Sequence, residues 1–451
     1  MTEQLTTLTV VGLGKLGAPM AACLAAKGYT VIGVDVDETK IAAINDGRAP
    51  VYETGLDEML RRSEGRLSAT TDLEDAVRRS QLTFVVVATP SDEEGGFSLR
   101  WVLPACETIG RAIRDHDDFH TVVLTSTVMP GSTGGPVREA LEQASGKRCG
   151  EDFGLAYSPE FIALGSVIRD FLNPDFLLVG ESDERAGAAL ESVYRRAVET
   201  EAPVARMNFV NAELAKLSVN TFVTTKIAYA NMLARICEQL PDADVDVVTD
   251  AIGLDTRIGR KYLRGTISYG GPCFPRDNVA LATLARGLGA PAFVAEATDT
   301  ANRDGISRLA DLVEARLPEN GVAAVLGLSY KPNTDVVDES PGLLLVRELA
   351  SRGVDVIGYD PAANGNAARA LDGAGRLSDS LDDAVAAADT IVIATAWDEF
   401  KRLDPSVLER NGHRRVVIDC WRVLPREQFE HAVEYVVLGK GELSREAVAL
   451  D

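Results

Sequence analysis

The segment that decides the fold lies near the start of the chain and reads TLTVVGLGKLG over residues 7–17. A short apolar strand pattern runs into a GxGxxG motif, and an apolar helical pattern follows it. Glycines at this point allow a tight turn and admit a pyrophosphate to the helix N-terminus. The motif consists of Gly12, Gly14 and Gly17. The alternative is a glycine turn with a purely structural role.

The next predicted strand, residues 30–34, ends in Asp35. An acid about 20 residues after the glycines completes the dinucleotide fingerprint, because its carboxylate accepts hydrogen bonds from a ribose diol. The same carboxylate would repel a 2′-phosphate. The first part of the chain therefore predicts a site for NAD rather than NADP.

Two further strands are predicted at residues 82–88 and 121–124, and they lead into Thr89 and Thr127. Ligands of an open parallel sheet lie beyond the carboxyl ends of its strands, so both threonines are candidate cofactor contacts. A threonine at a strand end is also a common cap, and that alternative remains open.

The later part of the chain changes pattern twice. Helical spacing of apolar residues extends over about 211–240 with no strand signal, and alternating strands and helices resume at Val322. We therefore predict an α/β protein with two doubly wound Rossmann-like domains joined by a central all-helical domain. The expected boundaries are 1–205, 206–300 and 301–451. The turn at residues 327–332 lacks GxGxxG, so a second dinucleotide is not expected there.

Composition limits the classes of partner. The 451 residues carry a formal net charge of −22, which argues against nucleic acid or an anionic membrane as a partner. The sequence contains neither a bilayer-spanning apolar run nor a signal peptide pattern. Six cysteines without a CxxC pair suit reduced thiols, so we expect a cytoplasmic protein. The four histidines have no metal-ligand spacing, and no metal site is predicted.

One loop, GGPCFPRD at residues 270–277, has the composition of a reactive site. Gly270 and Gly271 allow close backbone approach, and Cys273 behind them offers a thiol that attacks a carbonyl carbon once activated. Asp277 follows four residues later. The alternative is a turn that contains a buried, inert cysteine.

Other candidates are weaker when taken singly. Lys216 and Asn220 share one face of a helix and together suit an oxyanion, although both could be surface residues. Glu160 has apolar neighbours that favour a raised pKa and a base role, or else a structural pair with a lysine. Arg257 and Lys331 are candidate phosphate ligands or solvated charges.

These motifs occur in the order found in the nucleotide-sugar dehydrogenase family, which the sequence resembles over nearly its whole length. The resemblance rests on the glycine fingerprint and on seven further segments. They are PVYETGL (50–56), STV (126–128), SPEF (158–161), ELAK with Asn220 (213–220), RIG (257–259), the cysteine loop (270–277) and GLSYK (327–331).

The resemblance implies an NAD-dependent, four-electron oxidation of a nucleotide sugar, with UDP-glucose becoming UDP-glucuronate. Cys273 would form a thiohemiacetal and then a thioester. Residues Lys216, Asn220 and Asp277 would handle oxyanion, proton and water, and Glu160 and Thr127 would serve thioester hydrolysis. Implied substrate contacts are Glu160, Phe161, Lys216, Asn220, Arg257, Tyr269, Gly270, Gly271 and Lys331. The central helix would form a homodimer, either alone or within a higher oligomer, and Arg257 would reach the partner subunit's substrate.

Three positions depart from the family pattern. Leu164 stands where a glutamate is frequent, and Asp338 replaces an arginine that usually contacts the cofactor. The segment Asp419-Cys420-Trp421-Arg422 departs from the usual Asp-Gly-Arg and displaces an arginine that helps bind substrate. Trp421 could stack on a base instead, or serve packing alone. A TDP- or GDP-hexose therefore stays open as substrate, as does a non-catalytic nucleotide-sugar sensor. β-Hydroxyacid dehydrogenases share the first motifs but need neither Cys273 nor a second α/β domain.

Overall fold

The structure is a computed structural model that describes residues 5–116, 118–409 and 414–441. His413, which was assigned no role above, lies outside these residues. The described chain forms two compact units, one reaching to Ser218 and the other starting at Val219. The division falls within one long helix, Phe209–Glu238.

The first unit is built on one sheet. Its strands are β1 (Thr7–Val11), β2 (Thr30–Val34), β3 (Leu67–Thr70), β4 (Leu82–Val85), β5 (Thr121–Leu124), β6 (Gly154–Tyr157), β7 (Leu177–Glu181) and β8 (Val204–Met207). They lie in the order β3-β2-β1-β4-β5-β6-β7-β8, and all neighbours are parallel except β6 and β7. The first six follow the dinucleotide-binding strand order, which brings the ends of β1 and β4 together.

Helices cover both faces of this sheet. They are α1 (Gly17–Ala26), α2 (Glu38–Asn45), α3 (Leu56–Arg62), α4 (Leu73–Arg78), α5 (Val102–Arg114), α6 (Arg138–Ser145), α7 (Val167–Leu172) and α8 (Glu184–Ala197), with a π-helical turn at Thr133–Val137. Two large apolar cores result, one around Leu24 and Phe84 and one around Ile109 and Phe153. Strands buried on both faces explain the continuous apolar runs in the sequence.

The second unit begins with helices and ends with a parallel sheet. Its helices are α9 (Phe209–Glu238, shared with the first unit), α10 (Val245–Gly253), α11 (Phe274–Gly287), α12 (Phe293–Glu314), α13 (Pro341–Ser351), α14 (Asn364–Leu371), α15 (Leu381–Ala387) and α16 (Arg426–Phe429). Its strands are β9 (Val322–Leu326), β10 (Asp355–Tyr359), β11 (Arg376–Leu377), β12 (Thr390–Ile393), β13 (Val416–Asp419) and β14 (Glu434–Val437), with short 3₁₀ turns at Phe400–Arg402 and Pro405–Leu408. The order β11-β10-β9-β12-β13-β14 repeats that of the first six strands.

The predicted fold class is confirmed: two α/β Rossmann-like sheets and a helical central region are present. Strands predicted at 30–34 and 121–124 have the observed bounds. The strand predicted at 82–88 is shorter, because β4 ends at Val85 and the Val87 carbonyl accepts a bond from Ser126 Oγ at 2.6 Å. A side chain, rather than a neighbouring strand, satisfies that carbonyl.

Both sheets use the same glycine crossing at the first turn. Gly12 has φ +97°, and a Cβ added to Gly17 would lie 1.8 Å from the Gly12 carbonyl oxygen. In the second sheet Gly327 has φ +99°, and a Cβ on Gly342 would lie 1.9 Å from the Gly327 oxygen. Only glycine fits such an approach of helix to strand. The GxGxxG spacing is absent from the second sheet because residues 328–341 separate its two glycines.

We expect Gly342→Ala to lower the free energy of unfolding by about 2 kcal/mol or more, because the new methyl group overlaps backbone that cannot move away cheaply. The matched control is Gly365→Ala, at the same position in the first turn of α14, where an added Cβ meets no atom within 4 Å. It should gain about 0–1 kcal/mol from helix propensity. Urea denaturation measures both, and equal effects would contradict the crossing constraint.

Candidate active site

Asp35 lies where the fingerprint predicts, beside the first glycine turn. One carboxylate oxygen accepts from the Leu13 backbone N–H at 2.7 Å and from Lys40 Nζ at 3.1 Å, and the other accepts from the Asp37 N–H at 3.0 Å. These bonds fix the carboxylate at the end of β2. A Cβ on Gly14 would meet no protein atom within 4 Å, so the backbone there is open to a ligand. Both features fit NAD.

The two candidate threonines come together at the ends of β4 and β5. Thr89 Oγ1 donates to the backbone carbonyl of Thr127 at 2.7 Å. These strands are neighbours, and β4 also pairs with β1, so both threonines lie at the edge that carries the glycine turn. Thr89 therefore lies at the edge where a cofactor contact is expected and also makes a capping hydrogen bond, so both features are present.

Glu160, Phe161 and Lys216 form a second cluster in the first unit. Lys216 is 6% exposed, and its Nζ donates to the backbone carbonyl of Glu160 at 2.7 Å while lying 4.5 Å from the ring centroid of Phe161. Burial raises the pKa of Glu160 to about 7, against a lowering by Tyr194 and by the Lys216 charge. A carboxyl with a pKa near 7 is suited to general acid–base work.

Two residues near this cluster were not predicted as site residues. The Tyr194 hydroxyl, on α8, lies 3.1 Å from Glu160 Oε1, and its position in an amphipathic helix gave no signal. Glu213 is fully buried and accepts from the backbone N–H groups of Gly131 and Thr133 at 2.6 and 2.7 Å. Glu213 fixes the loop after Thr127. The one sequence feature that pointed to Glu213 was its place in the ELAK motif.

In the second unit, Cys273 occupies the N-cap of α11 and is the exposed one of the six cysteines. The positive end of a helix stabilises an anionic sulfur. Elsewhere, burial raises the pKa of Cys23 and Cys106 to about 12 and that of Cys149 to about 11. The alternative of a buried cysteine is therefore wrong, because the Cys273 thiol is exposed.

Buried polar residues support the loop that carries Cys273. Asp277 is fully buried and accepts from Asn220 Nδ2 at 2.6 Å, while its N–H donates to the Cys273 carbonyl at 2.8 Å. Asn278, which was not predicted, donates to Thr224 Oγ1, the Tyr269 hydroxyl and the Phe274 carbonyl. Tyr269 is thus a buried anchor for α11, and burial raises its pKa.

The two glycines before Cys273 pack against the 338–341 segment. The Gly271 N–H donates to the Asp338 carbonyl at 2.9 Å, and a Cβ on Gly270 would lie 2.2 Å from the Glu339 carbonyl oxygen. Gly271 has φ +91°, and a Cβ there would lie 2.7 Å from the Tyr330 ring, so contacts within the chain account for both glycines. Because Asp338 contributes its backbone here and exposes its side chain, its departure from the family pattern leaves this contact intact.

The remaining candidates of the second unit lie apart from this network. Arg257 is exposed and pairs with Asp255 at 2.6 Å, and Lys331 lies half-buried in the long first turn of the second sheet. Trp421 packs into the core and donates its indole N–H to the Ala394 carbonyl at 2.8 Å. These contacts favour the packing alternative for Trp421 over base stacking.

Within the described ranges, no group of three or more His, Cys, Asp or Glu residues is arranged to hold a metal ion. The same ranges contain no helix of the length and apolarity needed to cross a membrane.

Family models match the chain in three consecutive segments. They describe the UDP-glucose/GDP-mannose dehydrogenase family: its NAD binding domain at residues 6–198, its central domain at 210–304 and its UDP binding domain at 324–426. The fold and the sites thus define an NAD-dependent nucleotide-sugar dehydrogenase. The chain belongs to the UDP-glucose/GDP-mannose dehydrogenase family.

Relatives with different sugar nucleotides in their names align over most of the chain. UDP-glucose 6-dehydrogenase AglM of Haloferax volcanii is 38% identical over 426 residues, covering 93% of this chain and 98% of that protein. GDP-mannose 6-dehydrogenase of Pseudomonas aeruginosa is 35% identical over 410 residues, covering 87% and 92%. The solved UDP-glucose dehydrogenase of the hyperthermophilic archaeon Pyrobaculum islandicum superimposes with a TM-score of 0.87 at 35% identity, covering 97% and 98%.

We expect kcat/KM to be higher with NAD than with NADP, because the Asp35 carboxylate would face the 2′-phosphate. Asp35→Asn keeps the shape and removes the charge, and it should reduce this preference by about tenfold. The control Asp37→Asn removes a neighbouring charge but keeps a good helix cap at α2. Initial rates with both cofactors test this, and a preference for NADP would contradict the role of Asp35.

Proposed function

We propose that the protein oxidises the 6-hydroxymethyl group of UDP-glucose to the carboxylate of UDP-glucuronate, with Cys273 as the covalent nucleophile. The observation that carries the proposal is the exposed Cys273 at the start of α11, one helical turn from an Asp277 that is bonded to Asn220. A four-electron oxidation needs a positioned thiol that can form a thioester, and an ordinary alcohol dehydrogenase lacks such a thiol.

The proposed covalent chemistry starts from the aldehyde that the first oxidation of the 6-hydroxymethyl group produces. The Cys273 sulfur adds to the carbonyl carbon of the aldehyde, and the carbonyl oxygen takes a proton to give a thiohemiacetal. Loss of a hydride from that carbon and of a proton from its hydroxyl group gives a thioester, and water cleaves it to the acid and regenerates the thiol. NAD, when bound beside the Gly12 turn and Asp35, supplies the hydride acceptor, so two NAD and one water are used for each sugar.

Lys216 and Asn220 are the proposed donors to the oxyanion that develops at this carbon. They lie one turn apart on α9, and both are at most 7% exposed, so their charge and dipole act with little screening by water. Asp277, bonded to Asn220, is the proposed acceptor for the proton or water. Because the Lys216 and Asn220 side chains are buried, the two donors keep fixed positions.

Glu160 and Thr127 are proposed to serve thioester hydrolysis. A carboxyl whose pKa is about 7 is present in both protonation states near neutral pH, so it can take a proton from the attacking water. Thr127 stands at the end of β5, with its carbonyl bonded to Thr89. Proposed substrate contacts also include Phe161, Arg257, Tyr269, Gly270, Gly271 and Lys331.

A homodimer through α9 is part of the proposal. The helix exposes a row of large apolar side chains. Contact between these side chains and water costs free energy, and burial in an interface would remove that cost. In the second unit these are Phe222, Tyr229, Met232 and Ile236, each at least 46% exposed. Arg257, also exposed, is proposed to reach the partner subunit's substrate.

We expect two NADH for each UDP-glucose consumed, measured by absorbance against product quantified by chromatography. The same assay across UDP-, TDP- and GDP-hexoses tests the choice of substrate, and GDP-mannose is the specific competitor because a relative at 35% identity bears its name. One NADH with accumulation of free aldehyde would contradict the four-electron reaction. A faster rate with a GDP- or TDP-sugar would reassign the substrate and leave the chemistry in place.

Cys273→Ser should lower turnover to the acid by roughly a hundredfold or more, because serine is a far weaker nucleophile at neutral pH. Substrate affinity should be retained. The control Cys149→Ser alters a half-buried thiol of the first unit and should leave turnover unchanged. A sugar adduct is expected on Cys273 by intact-protein mass spectrometry in Glu160→Gln under turnover. Near-normal turnover by Cys273→Ser would contradict covalent catalysis.

Phe222→Asp should weaken the dimer by at least about tenfold, since it places a charge in the proposed apolar interface. The control Val407→Asp changes a residue that is also more than half exposed but lies in a 3₁₀ turn outside α9. Sedimentation velocity over a range of concentrations measures both variants. A monomeric wild-type chain, or dimer loss in Val407→Asp alone, would count against this interface.

A further inference from the structure

A chain of hydroxyl groups connects Glu160 to the interior of the first unit. The Tyr194 hydroxyl lies 3.1 Å from Glu160 Oε1 and 3.0 Å from Ser158 Oγ, and Ser158 Oγ lies 2.9 Å from the Leu178 carbonyl oxygen. Tyr194 and Ser158 are at most 2% exposed. The two hydroxyl groups are therefore shielded from bulk water, so the hydrogens in the three contacts can be counted.

The count depends on the protonation state of Glu160. With Glu160 protonated, its O–H donates to Tyr194, Tyr194 donates to Ser158, and Ser158 donates to the Leu178 carbonyl, so three hydrogens fill three contacts. With Glu160 ionised, only the Tyr194 and Ser158 hydrogens remain for the same three contacts. One contact then brings two oxygens together with no hydrogen between them, which is costly in a buried site.

We propose that Ser158 is a positioning residue that acts through Tyr194 to favour the protonated form of Glu160 in the resting enzyme. Ser158 accepts the Tyr194 hydrogen and so turns the lone pair of the phenol oxygen toward Glu160. The serine thus decides whether the tyrosine offers Glu160 an acceptor or a donor. The proposed influence of Ser158 on Glu160 therefore runs through two neutral hydroxyl groups.

Other groups of the first unit face Glu160. Lys216 on α9 donates to its backbone carbonyl and favours the ionised carboxyl through its charge. Cys23 on α1 is a neutral neighbour, since burial raises its pKa to about 12. The Tyr194 ring lies between Phe84 and Phe171, each 6.3 Å away between ring centroids, so the tyrosine has little freedom to turn from the chain. Burial acts in the same direction, since it raises the pKa of Glu160 to about 7.

The consequence for turnover rests on the proposed function. If Glu160 takes a proton from water during thioester hydrolysis, it must first lose its resting proton. The acidic limb of the pH–rate profile for acid formation then reports the proton affinity of Glu160, and Ser158 sets the position of that limb.

The test titrates Glu160 directly in the full chain. The infrared band of the protonated carboxyl is assigned as the band lost in Glu160→Gln, and its intensity is followed against pH without substrate. Ser158→Ala removes the acceptor for the Tyr194 hydrogen, which then donates to the ionised carboxyl. Proton affinity should fall about tenfold, which is one pKa unit. Tyr194→Phe should not weaken proton binding, because it removes the donor to the anion.

The decisive comparison is the double variant. Ser158→Ala should have no effect in the Tyr194→Phe background, because the serine acts only through the phenol. An unchanged titration in Ser158→Ala, or the same shift with and without Tyr194, would overturn the proposal. Ser158→Cys, a weaker acceptor of similar size, should give an intermediate shift and replaces Ser158→Ala if that variant does not fold. The titration needs no turnover, so it stands or falls independently of the proposed thioester chemistry, whereas the shift of the acidic limb tests both.

Discussion

The close approach of a helix to the first strand of each sheet is the constraint on which both nucleotide-binding halves depend. At Gly17 and Gly342 the helix backbone presses on the carbonyl of an earlier glycine, at a separation that leaves no room for a Cβ. This contact points the N-terminus of the helix at the carboxyl edge of the sheet. Strand ends, threonines and carboxylates lie at that edge. The helix dipole would stabilise a phosphate bound there.

The two halves share this crossing but differ in how they use the acid after their second strand. Asp35 is partly exposed beside a short glycine turn and is available to a ribose. Asp360, in the matching place after β10, is 2% exposed and accepts from the N–H groups of Leu328 and Ser329 and from the Ser329 hydroxyl. Its carboxylate stabilises the long 328–341 connection instead. The same architecture thus serves a dinucleotide in one half and leaves the other half for a different ligand.

Helix α9 buries several polar side chains and exposes several large apolar ones. Its buried residues include Glu213, Lys216, Asn220 and Thr224, whereas Phe222, Tyr229 and Ile236 are exposed. Each buried polar group named here has a hydrogen-bond partner, which offsets its loss of hydration. The arrangement places functional groups inside and leaves an apolar surface outside. This is the physical basis for proposing that one helix serves both catalysis and assembly.

The sequence by itself determined the fold class, the NAD fingerprint and the candidates that short-range spacing can reveal. The fingerprint residues lie within one βα unit: Gly12, Gly14, Gly17 and Asp35. Lys216 and Asn220 lie within one helix. Spacing along the chain therefore predicts the element on which each of these residues lies. The ordered motifs also predicted the family. Local patterns suffice here because the contacts involved are close in the chain.

Only the tertiary structure decided which distant residues act together. Tyr194 reaches Glu160 from another element, and Asn278 joins Thr224 and Tyr269 across segments far apart in sequence. It also showed that Gly270 accommodates the chain's own backbone and Gly271 the Tyr330 ring, and that the second sheet keeps its glycine crossing despite an altered spacing. Burial and hydrogen-bond partnership depend on packing between elements, and no pattern along the chain encodes which polar side chains will share a buried site.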